Sequence, residues 1–387
     1  MPAALPCPVP VTEVFDYAAG QIRAAAGGLA PGPVRLGTHT PSVTTYVQRV
    51  HVGGQELFAK TSLLGVSLVS VLRGTLGGWE TVRAAQVAYT TMPGSLLERE
   101  ADQLRLLQEG GLGVAPVEHY ERGVLFTRPV PGPTLFDLVV KTPDRTVGLL
   151  DAVMGELDGA LSRPALAEAV DDCAIAERSI DATFNRKFNG LTGPLYLRLA
   201  GEATAVLTTV VGRLRRLRFT DAGSTGTVMF GDLKPEHVVF PDGPGGRPVF
   251  LDPGLARGRP GADEAKLLSR LLLGLLVSPP NEEAMQHITG GIDTFAWERA
   301  SMMPTDARAR WLRQLIVLWL MDTTSILSTY LTAPDALPLP DLGVKAIRWA
   351  LVVCMVLDRV SSLLETGTDT AAVWRLALAE VVSGAAR

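Results

Sequence analysis

The chain has 387 residues, 47% of them apolar and 20% charged, and a formal net charge of −4 from 36 basic and 40 acidic side chains. These figures describe a globular protein large enough for two or three domain-sized units, exclude a disordered chain, and give no electrostatic basis for binding nucleic acid. The longest apolar runs, "LLLGLLV" (271–277) and "WALVVCMVL" (349–357), are far shorter than the roughly 20 residues of a membrane span. They are expected to be core helices. No basic n-region followed by a continuous apolar stretch opens the chain, and Cys7, Cys173 and Cys354 stand far apart in odd number. That pattern predicts a reducing, cytoplasmic setting.

In chain order, residues 1–33 are expected to form a loosely ordered N-terminal extension. Residues 34–60 alternate like strands, and "VGGQ" is placed as a hairpin turn between two of them. A helix is predicted over 95–109, where Leu96, Leu97, Leu104 and Leu107 share a face and Gly110-Gly111 ends it. "GVLFTRPVPGPTL" then gives a strand running into a Pro/Gly connector. Beyond it, helical periodicity dominates to the end except around 237–252. There "HVVF" and "PVFLD" flank the turn formers "PDGPGGR" and read as a short hairpin. Asp232 falls in a loop before its first strand and Asp252 at the end of its second. Two carboxylates brought to one end of a hairpin suit phosphoryl transfer, in which one orients the attacking hydroxyl and another holds a divalent cation on the nucleotide phosphates.

These residues carry a resemblance. "FGDLKPEHVVF" followed by "LDPG" resembles the catalytic loop and metal motif of the protein-kinase-like superfamily, in its aminoglycoside phosphotransferase and choline-kinase branch. The resemblance implies an α+β, bilobal protein-kinase-like fold: a small β-rich N-lobe over 34–130 and a larger, mostly helical C-lobe over 131–387. It implies Asp232 as catalytic base, Lys234 as the loop lysine that touches the γ-phosphate, Asp252 as the main Mg²⁺ ligand, and His237 in the slot of a metal-binding Asn. Upstream, "ELFAK" matches the strand whose lysine, here Lys60, pairs with the α- and β-phosphates of ATP. "LEREADQLRLL" matches the helix whose glutamate clamps that lysine, with Glu100 the choice and Glu98 the fallback. The backbone from Phe126 to Arg128 would meet adenine, and Asp263 in "GADEAKLLSRLLL" would be structural.

Departures from the pattern are specific. Phe230 stands where the branch usually has a histidine that braces the loop, and an imidazole at position 237 suits Mn²⁺ better than Mg²⁺. The nucleotide-covering loop, "GTHTPSVTTYV", has only Gly37, so Thr40, Ser42 and neighbouring amides would have to cradle the phosphates. Lys60 and Glu100 are 40 residues apart, which leaves an apolar, Gly-broken insert over about 61–94. The expected activity is ATP-dependent transfer of the γ-phosphoryl group to a hydroxyl. The acceptor is a small molecule or Ser/Thr of a precursor peptide, the latter with a partner lyase that docks on the insert and eliminates phosphate. The alternative is a pseudokinase-like scaffold that binds nucleotide without turnover. The basic residues Arg178, Arg186 and Lys187 are expected on a solvated helix face or gripping an acidic acceptor.

Overall fold

The computed structural model describes residues 8–189, 193–218 and 226–386; Cys7 lies outside them. The chain divides into two compact units. The smaller comprises Met1–Glu109, Val114–Val130 and Thr332–Asp341, and the larger Gly110–Gly113, Pro131–Leu331 and Leu342–Arg387.

The smaller unit is built on an antiparallel five-stranded sheet of order β1-β2-β3-β5-β4. Its strands are β1 (Arg35–Thr40), β2 (Tyr46–Val52), β3 (Gln55–Thr61), β4 (Val117–Glu121) and β5 (Val124–Thr127). The turn between β2 and β3 is the expected one: Gly53 and Gly54 have φ of 58° and 79°, the double positive-φ geometry that suits the twist of a two-residue hairpin.

Residues 11–26 depart from the expectation of a loose extension. They form helix α1 (Val11–Ala26), in which Val14, Ala18, Ile22 and Ala25 recur at helical spacing and are fully or almost fully buried. Ala18, Ile22 and Ala25 pack with Tyr46, Val50, Leu57, Ala59 and Phe126 into the unit's core. Small residues let the helix lie close to the sheet.

The insert after β3 folds into α2 (Leu68–Leu72) and α3 (Trp79–Tyr89), and α4 (Leu96–Glu109) follows. Leu68, Val69, Val71 and Leu72 of α2 are all buried. The returning segment joins the same unit by offering Thr332 O to Arg73 Nε at 2.7 Å.

The larger unit begins with α5 (Leu135–Lys141), α6 (Thr146–Leu161), α7 (Pro164–Ala169), α8 (Ile180–Phe188), α9 (Gly193–Arg198) and α10 (Thr204–Leu217). Two strand pairs follow. β6 (Thr227–Met229) pairs with β9 (Ala256–Gly258), and between them β7 (Val238–Val239) pairs with β8 (Val249–Phe250). The unit closes with α11 (Ala262–Val277), α12 (Glu282–Ser301), α13 (Thr305–Leu331), α14 (Asp341–Arg348), α15 (Ala350–Glu365) and α16 (Thr370–Ala385). Every residue from Asp263 to Val277 is buried, which makes α11 the axis of this unit. The second apolar run lies in α15, where Val353, Cys354, Val356 and Leu357 are buried. Among the described residues no helix is long and apolar enough to cross a membrane.

If α1 belongs to the core, Ile22→Ala lowers unfolding stability by about 2–5 kcal/mol. Denaturant titration would measure this, and a loss under about 1 kcal/mol would show that α1 is not part of the cooperative unit.

Candidate active site

In the smaller unit Lys60 sits on β3, in register with Val47 on one side and Leu125 on the other. Its Nζ lies 2.8 Å from Glu100 Oε1, and the glutamate side chain is fully buried. Glu98 is instead the helix-start residue, accepting the Gly94 amide at 2.7 Å. Immediately past Lys60, the fully buried Gln86 of α3 donates to Ser62 O at 2.9 Å and accepts from Leu64 N at 2.7 Å. Leu64 is held there at φ 52°, a conformation uncommon for a branched side chain. The insert also grips the β1–β2 loop, because Leu68 N and Val69 N donate to Thr44 O and Val43 O.

Three residues expected to contact nucleotide have partners of their own. The Ser42 hydroxyl accepts from the amides of Thr44 and Thr45 at 3.2 and 3.4 Å, a local turn that engages both hydroxyl and amides. The Phe126 side chain is fully buried in the core, and its backbone lies between β3 and β4. The Arg128 amide donates to Pro116 O at 3.0 Å and its guanidinium to Glu118 at 2.7 Å.

In the larger unit the loop after β6 is set by Asp263, in the first turn of α11. Its Oδ2 accepts the Phe230 amide at 2.7 Å and its Oδ1 the Gly231 amide at 2.8 Å. Phe230 is fully buried with its ring 5.6 Å from that of Phe250, and its carbonyl accepts from Gly254 N at 2.8 Å. Packing and backbone bonds therefore brace the loop where a histidine side chain was expected to do so. Gly231 has φ 83°, and a Cβ there would lie 2.1 Å from Gly254 O. Only glycine fits.

The loop presents Asp232 with Oδ2 at 2.8 Å from Lys234 Nζ and Oδ1 at 3.4 Å from Lys266 Nζ. Burial pushes the Asp232 carboxyl upward, but Lys234, Lys266, His237 and Arg178 together hold it well below the usual carboxylate range. The second half of the site is joined by Leu251 N donating to His237 O at 2.8 Å. That bond brings His237 Nε2 to 3.7 Å from Asp252 Oδ2. Asp252 adopts φ 53°, a left-handed conformation that is costly for a non-glycine residue and recurs at functional sites. Arg178 Nη1 donates to Pro253 O at 2.6 Å, so this arginine steadies the Asp252 loop. Arg186 binds Glu177 O and Lys187 binds Ser325 O. The basic cluster is thus engaged by the fold.

Burial, with the Lys234 ammonium beside it, lowers the His237 pKa, and its Nδ1 meets no hydrogen-bond partner among the described residues. A histidine that ligates a metal normally has its other nitrogen oriented by a partner, so His237 fits better as a neighbour of Asp252 than as a principal ligand. No group of three or more His, Cys, Asp or Glu able to hold a metal occurs among the described residues. One carboxylate plus phosphate oxygens is the habit of Mg²⁺, and Asp252 fits it. Cys354 is no nucleophile, since burial pushes its thiol up to about 12.

The sequence reading missed Lys266, Arg270, Asp322 and Gln86. A signal for the first three was available. Lys266 and Arg270 stand four apart on one face of a helix that is buried throughout, and Asp322 interrupts "LIVLWLMDTTSIL"; charges in such settings are rarely unpaired.

No family model and no curated protein matches the chain. Several solved structures resemble it. Plasmodium vivax ethanolamine kinase shares 10% identity over 85% of this chain and 84% of its own, with a TM-score of 0.46. A choline kinase from Streptococcus pneumoniae shares 12% over 83% and 94%, with a TM-score of 0.39. A macrolide 2'-phosphotransferase from Brachybacterium faecium shares 16% over 91% and 98%, with a TM-score of 0.36. The chemistry rests on this chain's own residues.

Burial raises the Asp263 carboxyl to about 7 from an ordinary 3.8, against the opposing pull of the Gly231 and Phe230 amides. A raised value means that the carboxyl favours the folded state below 3.8 and that this contribution is lost as pH rises through about 7. Stability of the wild type relative to Asp263→Asn should therefore fall between those limits. At any pH the variant also turns an amide NH₂ toward one backbone N–H, which costs about 1–3 kcal/mol. Thermal unfolding of both proteins across that pH range checks the sign.

Proposed function

We propose that the chain is an ATP-dependent phosphotransferase acting on an alcohol. The observation that carries this reading is the loop held by Asp263, which offers a partly buried Asp232 beside Lys234 while the short hairpin aligns Asp252 with His237. A turn that merely happened to contain Gly-Asp would not need a buried carboxylate on two of its amides.

In this reading Lys60, steadied by Glu100, neutralises the α- and β-phosphates. Asp252 holds Mg²⁺, or Mn²⁺ where the His237 imidazole takes part; the cation, when bound, supplies charge neutralisation at the phosphates. Asp232 orients the acceptor hydroxyl and receives its proton as the bond to phosphorus forms, and Lys234 meets the transferred phosphoryl group. In a loose transition state little proton transfer precedes bond cleavage, so orienting the hydroxyl is a large part of this role.

The acceptor is an alcohol, either of a small molecule or of Ser/Thr in a peptide that a partner lyase would process further. The insert bears on the second possibility. Its inner side holds the chain after β3 and the β1–β2 loop, while Val87 and Met92, 64% and 50% exposed, are outward residues that a partner could meet.

Asp232→Asn should reduce kcat about 10²- to 10⁴-fold with ATP binding retained, and Asp252→Ala should abolish metal-dependent ATP binding in calorimetry. Small alcohols and Ser/Thr peptides, screened in parallel by mass, separate the two acceptor classes. ATP binding with no transfer to any acceptor would make the chain a scaffold instead.

A further inference from the structure

Asp232 is flanked by two lysines of different standing. Lys234 belongs to the same loop, two residues away, with 15% of its side chain exposed. Lys266 belongs to α11, with 5% exposed, and its ammonium lies 2.8 Å from Asp322 Oδ1 as well as 3.4 Å from Asp232 Oδ1. Asp322, on α13, is itself fixed. Its Oδ2 accepts from Ser269 Oγ at 2.5 Å and from Arg270 Nε at 2.8 Å. A chain of charges therefore runs from the catalytic loop into the middle of the helical unit, through three elements distant in sequence.

Stability alone gives a poor reason for this chain. Ala265, Leu267 and Leu268 beside Lys266 are buried apolar residues, and well-packed apolar side chains commonly match or exceed the stability of a buried ion pair. What an apolar residue could not do is hold a particular oxygen of Asp232.

Building on the phosphotransferase reading above, we propose that Lys266 is the positioning residue of Asp232. It anchors Oδ1 to the Asp322 node and keeps Oδ2 turned toward the acceptor hydroxyl. Lys234 can leave Oδ2 for the transferred phosphoryl group when substrate arrives, because it rides on a loop and Asp232 is its counter-ion there. Lys266 cannot leave, because Asp322 holds it from the other side. The two lysines thus divide the work: one moves to the phosphate, and the other keeps the carboxylate from following it.

The test compares Lys266→Met, Lys266→Gln and Lys266→Arg with wild type and with Asp232→Asn, measuring kcat, KM for ATP, ATP affinity by calorimetry and thermal unfolding. Asp322 keeps Ser269 and Arg270 in every variant, so its charge stays paired. Lys266→Met and Lys266→Gln should lower kcat about 10²-fold, the cost of a roughly 1 Å misplacement of a reacting group. ATP affinity and KM for ATP should stay within about twofold, well under the effect of one lost charged contact. Lys266→Arg, which restores a cation, should recover a substantial part of kcat. Wild-type kcat in the Met and Gln variants overturns the proposal while leaving the phosphotransferase reading intact, provided Asp232→Asn is inactive. Parallel loss of kcat, ATP affinity and melting temperature in the Met and Gln variants, with no rescue by arginine, also overturns it, since the residue would then be structural only. Undiminished transfer by Asp232→Asn removes the reading itself and the proposal with it.

Discussion

Both oxygens of Asp263 are taken by backbone amides, those of Phe230 and Gly231, and the rest of the larger unit's site depends on that fact. Side chains reach a catalytic position through rotamers that can flip, whereas an amide can move only with its chain. Holding two successive amides from a residue in the first turn of α11 ties the loop to the most buried helix of the unit. Asp232 follows directly and inherits that fixity. The helix also favours the arrangement, since its N-terminus attracts a negative charge in the first turn. Burial works against the anion and raises the Asp263 pKa, so the brace is a balance between desolvation and two well-aligned donors.

A comparable logic governs the smaller unit, with different means. Lys60 is held on a strand that is paired on both sides, and Glu100 meets it from α4. The insert supplies the rest. Gln86 ties down the chain just beyond Lys60, and α2 receives the carbonyls of the β1–β2 loop on its leading amides. A loop rich in glycine would be mobile and close over phosphates on binding. This loop, residues 41–45, contains no glycine and is fastened from behind, so whatever it covers meets a largely preformed surface. Preformation lowers the entropy lost on binding and restricts what shape can be accommodated.

Much of this was legible in the sequence, for identifiable reasons. The Gly53-Gly54 hairpin, the Gly110-Gly111 stop and the β7–β8 pair follow from local turn chemistry, and local rules are what a sequence states openly. Asp232 and Asp252 could be placed at one end of a hairpin for the same cause. The helix α1 was hidden because half of its buried residues are alanine and the stretch before it is rich in proline, which weakens the apolar contrast on which periodicity rests. The internal roles of Phe126 and Arg128 were hidden because they depend on neighbours that become near only when strands pair. Lys266 and Asp322 lie 56 residues apart in the chain, and their partnership could not be read from either helix alone. Asp322 was nonetheless conspicuous as a charge within an apolar run.

The most telling substitution is the phenylalanine at position 230. An aromatic ring cannot donate the hydrogen bond that a histidine would, yet the loop is no less constrained. The ring packs on Phe250, which lies at the end of the strand leading to Asp252, while the Phe230 carbonyl takes the Gly254 amide on the far side of that residue. The two halves of the site are thereby joined by packing and by backbone, on both sides of Asp252. Its left-handed conformation costs on the order of 1–3 kcal/mol, and such a cost persists only where the surroundings leave the chain no alternative. Here Leu251 is fixed to His237, Pro253 to Arg178 and Gly254 to Phe230. Three consecutive constraints around one strained aspartate are more than a turn requires, and they fit a carboxylate that must be presented in one orientation.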